Sequence, residues 1–357
     1  MAILKIQLLN FRNLKDKIFS FSPKTTVIIG PNASGKTNVL EAIFLLATGK
    51  SFRARIEEEM INYEEEIGRV KGLFKDGKAK KSSKTKLEVV LTRGEIGIGT
   101  ARSEKVARKR LLINGVGKRL IDFAGNFKLV LFGPWDLHLI TESPSIRRKF
   151  LDTVLSQVDR EYRRASLSYD KGVRQRNRLL YRIREEGLSH PQLLFWNRLL
   201  IKNGDYISKK REEFISFVNQ TRPLNEQVFK LVYDKSVISE VRLEQYKNEE
   251  IAAATTLVGP HRDDFCFRLK KRDLARYGSR GEQRMGVLWL KLAELAFVEK
   301  IAEQKPTLLL DDIFSELDHE HREVVMKAAD DQQTIITTAD PRFVERLEKV
   351  EIIRLKS

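Results

Sequence analysis

The chain carries a single cysteine, Cys266, in 357 residues, which excludes an internal disulfide framework. A lone thiol suits a reducing compartment, and at this position it reads as a small core residue. Histidine is also sparse, at five residues. His261-Arg262-Asp263-Asp264 has no cysteine or His-x-Glu partner nearby, and neighbouring side chains of a strand point to opposite faces, so a metal-nuclease reading of it is weak. No apolar run approaches the ~18 residues needed to cross a bilayer. The start, Met1-Ala2-Ile3-Leu4-Lys5, alternates like a strand and lacks the layout of a signal peptide, so the expected setting is the cytoplasm, with no membrane partner. No internal repeat appears, and no heptad pattern persists long enough for a long coiled coil.

Basic charge, by contrast, is abundant and uneven. Lysine plus arginine number 66 against 49 acidic residues, a net charge of +17. Residues 69–119 hold 16 basic and 4 acidic side chains, and residues 147–184 hold 12 and 4. The rest of the chain is close to neutral. Two basic surfaces on an otherwise balanced protein suggest a polyanion as partner, against the alternative of a merely solvated lysine-rich surface. Candidate contacts are Lys80, Lys81 and Lys84 in the first stretch. In the second they are Arg174, Arg178 and Arg182, which share one helix face with Lys171.

GPNASGKT, from Gly30 to Thr37, follows the apolar run Val27-Ile28-Ile29 and precedes Asn38-Val39-Leu40-Glu41-Ala42-Ile43-Phe44, a helical pattern stopped at Gly49. It fits the G-x-x-x-x-G-K-[ST] phosphate loop in the required strand-to-helix context. Gly30 and Gly35 are expected to supply backbone freedom, with Pro31, Asn32, Ala33 and Ser34 completing the loop. Lys36 is expected on the β- and γ-phosphates of ATP, and Thr37 on Mg²⁺. Far downstream, Thr307-Leu308-Leu309-Leu310-Asp311-Asp312 reads as a buried strand ending in two carboxylates. Asp311 is assigned to the metal and Asp312, with Lys36, to catalysis through the attacking water. Between them, Gly278-Ser279-Arg280-Gly281-Glu282-Gln283 opens a long amphipathic helix, a second anion-binding helix start. One ATP needs both helix starts only if the second comes from another subunit.

The first 125 residues and those from 255 onward read as alternating β and α structure. Residues 126–254 read as helical, with Leu151, Val154, Leu155, Val158, Tyr162, Ala165 and Tyr169 forming a buried stripe. Asn114-Gly115 marks a hairpin. The expected division is a head built from 1–125 and 255–357, with a helical lobe at 126–254.

The order of phosphate loop, Ser279-Arg280-Gly281-Glu282, strand-end Asp311 and Asp318 resembles the ATP-binding-cassette superfamily. Arg280 and Glu282 depart from its Ser-Gly-Gly-Gln signature. Leu8-Leu9-Asn10-Phe11-Arg12-Asn13, GPNASGKTNVLEAI, Pro144-x-x-Arg147-Arg148, Gly259-Pro260-His261-Arg262-Asp263-Asp264 and LLLDDIFSELD narrow the resemblance to the RecF family of bacterial gap-repair ATPases, over residues 3 to about 340. The resemblance implies an α/β fold, an ABC-type ATPase head with mixed β-sheets around the phosphate-loop helix and a mainly helical second lobe. It implies a weak, switch-like ATPase that dimerises on ATP and binds single- and double-stranded or gapped DNA. It further implies action with RecO and RecR to load RecA. Carried over, Arg12 and Asn13 touch ATP or hold a hairpin. Ser279, Arg280, Gly281, Gln283 and Asp318 belong to the trans signature and dimer seam. Thr338 senses the γ-phosphate, and Asp136 takes the place of the superfamily's Q-loop glutamine. Arg147 and Arg148 face either DNA phosphates or carboxylates such as Asp152. The competing class is an ABC-type ATPase subunit of another DNA-processing or transport complex. The altered signature, the basic surfaces and the absence of a histidine at the Thr337-Thr338 switch disfavour the transport reading.

Overall fold

The computed structural model describes residues 1–75, 83–98, 102–224, 226–315, 317–340 and 350–356. Lys80 and Lys81 therefore lie outside the described residues, as does Glu316. The chain divides into two compact units: Met1–Asp136 with Val298–Ser357, and Leu137–Phe297. The sequence reading places its divisions near 125 and 254, whereas packing draws them at 136 and 297.

The first unit holds two sheets and one buried helix. A five-stranded sheet runs in the order Leu129–Phe132, Thr307–Asp311, Thr334–Thr338, Thr25–Ile29, Glu351–Arg354, and every pairing in it is parallel. Its three central strands are buried along their whole length, as two-sided burial demands of near-continuous Val, Ile, Leu and Thr. The second sheet is antiparallel, in the order Leu14–Ser20, Ala2–Phe11, Ile67–Lys75, Lys84–Thr92, Lys109–Ile113, Val116–Lys118. Here burial alternates: in Ile67–Lys75, Gly68, Val70, Gly72 and Phe74 face inward while Arg69, Lys71, Leu73 and Lys75 do not. Asn114 and Gly115 close the last hairpin with φ of +51° and +82°, the pair of left-handed residues that a type I′ turn requires. The helix Lys36–Thr48 is buried continuously from Val39 to Ala47 and joins both sheets in one core with Ile6, Phe74, Leu309 and Ile335. A helix buried on all sides is apolar all round, so the single carboxylate in that run, Glu41, stands out.

The second unit is mainly helical. Pro144–Val158, Arg160–Glu186 and Leu193–Asn219 are its long helices, beside the three-stranded sheet Phe229–Asp234, Asp264–Leu269, Arg272–Asp273. Asp159 caps the second helix by accepting from the Tyr162 N–H at 2.9 Å, and Gly187 ends it at φ +67°. Of the predicted stripe, Leu151, Val154, Leu155, Tyr162, Ala165 and Tyr169 are buried, while Val158, the last residue of its helix, is only half-buried.

Two short runs inside the region read as helical are strands. Leu129–Phe132 is an edge of the parallel sheet, and Phe229–Asp234 pairs with Asp264–Leu269. A four-to-six-residue apolar run shows no period that separates strand from helix; tertiary pairing decides.

Candidate nucleotide-binding site

The strand Thr25–Ile29 delivers the loop at the carboxyl edge of the parallel sheet, where such sheets bind ligands. The loop's two glycines serve different ends. Gly35 takes φ +96°, joined by Ala33 at +65°, and these two turn the backbone inward. Gly30 is not left-handed. A Cβ there would sit 2.7 Å from Ser34 Oγ and 2.8 Å from the Leu355 carbonyl, so Gly30 is needed for room rather than for angle. That corrects the expectation that both glycines supply freedom of φ.

Lys36 opens the helix and is buried. Its Nζ donates to the carbonyls of Gly30 (2.7 Å) and Pro31 (2.8 Å), leaving one of three ammonium donors for a further acceptor. Ser34 Oγ is buried with no hydrogen-bond partner among the described residues. Thr37 Oγ1 donates to Asp311 Oδ2 at 2.8 Å, across 274 residues of chain. The other carboxylate oxygen of Asp311 accepts from Thr337 Oγ1. Asp312 follows at φ +51°, a left-handed turn that brings it into the lining of the cleft. Its N–H donates to the Thr337 carbonyl at 3.1 Å, and its carbonyl accepts from Ser315 Oγ at 2.7 Å. Thr338 is buried, with its hydroxyl accepting from the Asp340 N–H at 3.1 Å. Of the Thr337-Thr338 pair, it is Thr337, to which the sequence reading gave no role, whose hydroxyl reaches Asp311.

The cleft measures ≈ 860 Å³. Asn32, Ala33, Gly35, Lys36 and Thr37 line it, and Gly30, Pro31 and Ser34 do not. Arg12 and Asn13 also line it, held by a network that the sequence reading did not find. Glu41, fully buried, receives Arg12 Nε at 3.0 Å, a second Arg12 nitrogen at 2.8 Å, Ser51 Oγ at 2.6 Å and Arg53 Nε at 2.9 Å. Burial alone would raise the Glu41 carboxyl. The hydrogen bonds from Arg12 and Ser51, with the charges of both arginines, outweigh it and hold the group below the usual carboxylate range. Arg53 also reaches Asn38 Oδ1, Asn38 donates to Asn13 Oδ1 at 2.6 Å, and Asn13 donates to the Ala33 carbonyl at 3.1 Å. Glu41 thus ties the loop helix to two cleft arginines. The available signal was a carboxylate in an otherwise apolar helical run, since an unpaired glutamate is almost never buried. Tyr63, 84% exposed, also lines the cleft.

Asp136 turns onto its own backbone, accepting from the Gly133 N–H at 2.9 Å, and does not line the cleft.

In the second unit, Ser279 and Glu282 form a reciprocal capping box. The Glu282 N–H donates to Ser279 Oγ at 3.2 Å, and the Ser279 N–H to the Glu282 carboxylate at 2.8 Å. The departure at Glu282 therefore keeps a working helix start. Ser279, Arg280 and Gly281 are exposed, and a Cβ on Gly281 would meet only Ser279 Oγ, at 3.9 Å. Nothing in the surrounding fold requires a glycine there, although glycine costs a helix about 1 kcal/mol against alanine. Gln283, by contrast, is buried and donates to the Leu274 carbonyl at 2.8 Å, a supporting role inside its own unit. Asp318, in the first unit, caps the helix His319–Asp330 through the His321 N–H at 3.0 Å.

The remaining alternatives resolve. Arg147 is buried and bidentate on Asp264 (2.6 and 3.0 Å), and Arg148 donates to the Asp263 carbonyl at 2.8 Å; both arginines are engaged within the unit. His261 accepts a hydrogen bond from the Tyr169 hydroxyl at Nδ1 (2.8 Å) and faces the Thr256 carbonyl at Nε2 (2.9 Å), and Asp263 is taken up by Arg211, Tyr233 and the Ser236 N–H. Among the described residues no His, Cys, Asp and Glu cluster could hold a metal ion. Arg174, Arg178 and Arg182 are exposed on one helix face; Arg182 pairs with Glu186 at 2.9 Å. No described helix is long and apolar enough to cross a membrane.

Comparison with known proteins agrees over the whole chain. Residues 2–357 match the model described as RecF/RecN/SMC N terminal domain. The DNA replication and repair protein RecF of Halalkalibacterium halodurans is 36% identical, over 95% of this chain and 93% of that one. A solved structure described as the recombination mediator protein RecF with ATP in the RecFOR pathway superposes with a TM-score of 0.87 at 31% identity, covering 97% and 93% of the two chains. An SMC head bound to the C-terminal winged helix of ScpA shares the fold alone, at a TM-score of 0.51 and 16% identity.

Proposed function

The chain belongs to the RecF family of the RecF/RecN/SMC ATPases, and from that premise we propose that it is an ATP-switched, DNA-binding mediator of recombinational gap repair and replication. The observation that carries the reading is the Thr37–Asp311 contact, which joins the phosphate loop to the strand-end carboxylate within one cleft.

The residues present fit the groups that the family implies. ATP suits a loop whose left-handed turns precede the N-terminus of a buried helix, with Lys36 holding a free donor beside it. Mg²⁺ suits the pair of hard oxygens from Thr37 and Asp311. When bound, the ion supplies positive charge to the phosphate oxygens. Within the chain, Lys36 and the loop N–H groups bind and orient the phosphates. Arg12 and Asn13, fixed through Glu41 and Asn38, close the side of the cleft. Asp312 orients the attacking water and accepts its proton, and Thr338 reports on the γ-phosphate.

Hydrolysis needs more than one chain. Ser279 and Gly281 lie exposed at a prearranged helix start whose glycine leaves open space, which suits the γ-phosphate held by a second copy. Arg280 and Asp318 would then stand at the seam. Closure therefore depends on the γ-phosphate, and its loss releases the clamp. Such a device suits slow timing of a DNA-bound state that RecR and RecO read while loading RecA. Lys84, Arg174, Arg178 and Arg182 are proposed DNA contacts, on single- or double-stranded and gapped substrates.

Sedimentation with saturating ATP tests the switch. Ser279→Arg is expected to bind ATP nearly normally and stay monomeric, while Asp312→Asn accumulates as a dimer. Normal ATP-induced dimerisation of Ser279→Arg would sink the two-copy reading.

A further inference from the structure

We propose that the outer face of the antiparallel sheet is a groove for the phosphate backbone of DNA, gripped by Lys5, Lys71, Lys84 and Lys86. The inference rests on the DNA-binding reading above and names the surface that serves it.

The strands Ala2–Phe11, Ile67–Lys75 and Lys84–Thr92 pair with a register that aligns their outward side chains. Lys5 lies opposite Leu73, and Leu73 opposite Lys86; one row further on, Gln7 lies opposite Lys71. Strands are about 4.8 Å apart and alternate residues about 7 Å apart. Lys5 and Lys86 therefore stand ~10 Å from each other across the sheet, with Lys71 one row below. Lys84 continues the line beyond Lys86. These four lysines border a groove of ≈ 700 Å³ that shares no lining residue with the nucleotide cleft.

None of the four makes an ion pair among the described residues. The one carboxylate in the groove, Glu88, is already engaged with Arg69 at 3.4 Å. Glu88 lies opposite Lys71 in the register, so four ammonium groups and Arg69 share one carboxylate, and an anionic ligand relieves the repulsion that remains. A single small anion cannot bridge groups ~10 Å apart. Duplex DNA carries one charge per ~1.7 Å of axis counting both strands, so a length of ~10 Å carries about six phosphate charges. The floor is rigid: Asn114 accepts from the Lys86 N–H at 2.8 Å through Oδ1 and donates its own N–H to the Lys86 carbonyl at 2.9 Å, which fixes the hairpin beside the row. Lysines that border a protein groove reach phosphates without entering a base-reading groove of the duplex, so the surface is indifferent to sequence.

The test is anisotropy titration of a labelled gapped duplex, with ATP, from 50 to 200 mM salt. It compares the native chain with Lys5→Ala/Lys71→Ala/Lys86→Ala and with the corresponding Lys→Arg triple. Three lost phosphate contacts lower the slope of log K against log salt by about 2.7, so between those salts the native chain loses ~40-fold more affinity than the alanine triple. ATP binding stays unchanged, and the arginine triple keeps the native slope. An unchanged slope in the alanine triple, while the native chain binds DNA, overturns the groove and leaves the DNA reading standing. A slope lost equally in the arginine triple means that charge is not what the surface supplies, and overturns it too. Normal DNA binding with loss of binding to poly-glutamate assigns the face to an acidic protein segment instead. No DNA binding by the native chain overturns both the groove and the reading beneath it.

Discussion

Replacing Glu41 by glutamine keeps the shape of the phosphate-loop helix and removes one buried charge. Four donors converge on this carboxylate, from Arg12 (two), Ser51 and Arg53. An amide offers one acceptor atom where the carboxylate offers two, and turns its NH₂ toward two of the donors. Breaking a buried ion pair costs about 3–5 kcal/mol. Here the Arg12 and Arg53 side chains are 20% and 40% exposed, so water recovers part of the loss. We expect ~2–3 kcal/mol of destabilisation. The unit concerned spans about 200 residues, for which each kcal/mol moves the melting point by ~2–4 °C, so its transition in calorimetry should fall by ~4–12 °C. The pH dependence has a definite sign. The folded carboxyl lies below its unfolded value of 4.5, so its contribution is complete above that value and is lost as pH falls through the folded pKa. The gap between native chain and Glu41→Gln should therefore be constant from neutral pH to about 5 and narrow below 4.5. ATP affinity should fall as well, because Arg12 loses its anchor beside the cleft. An unchanged melting point at neutral pH, or a gap that persists undiminished in acid, would refute the role given to Glu41.

Two further outcomes follow from the geometry. Gly30→Ala places a methyl group within 2.8 Å of the Leu355 backbone carbonyl, which cannot swing aside, so equilibrium dialysis should show weakened ATP binding together with ~1–3 kcal/mol of lost stability; native-like binding would show that the loop has room to spare. His261 is pushed down to about 4, by burial first and by the charges of Arg262 and Arg148, against the opposing hydrogen bond to Thr256; stability of the helical unit should thus fall as pH drops from ~6.5 toward 4, by up to ~3 kcal/mol, and His261→Asn should flatten that slope in acid-unfolding curves.

Much of the nucleotide site was legible because its chemistry is local. The loop from Gly30 to Thr37 and the strand ending at Asp311 each announce themselves within eight residues, and the family resemblance tied them together. What the sequence could not show was set by packing between distant segments. Glu41 passed as one more residue of the apolar helical run after the loop, although its neighbours on both sides are apolar. Residues 69–75 were read as part of a basic stretch, and their charge hid a strand whose inward positions are Gly68, Val70, Gly72 and Phe74. The two arginines after Pro144 were left open between DNA and carboxylates. Arg147 turned out to be bidentate on Asp264, 117 residues away. Glu282 was read only as a departure from the Ser-Gly-Gly-Gln signature, yet three-residue spacing from Ser279 is what a capping box needs.

The strand that carries the phosphate loop lies between Thr334–Thr338 and Glu351–Arg354. On a ribosome, that arrangement imposes a wait. Thr37 is synthesised 274 residues before Asp311, and at ~5–20 residues per second the interval is about 14–55 s. Throughout it, Thr25–Ile29 has neither of its neighbours, and both of its edges are open to pairing with another nascent chain. The antiparallel sheet, drawn entirely from the first 118 residues, has all its strands long before that. The newborn molecule thus passes through a stage with its outer sheet formed and its nucleotide cleft unmade, so that competence to bind ATP arrives only with the last part of the chain.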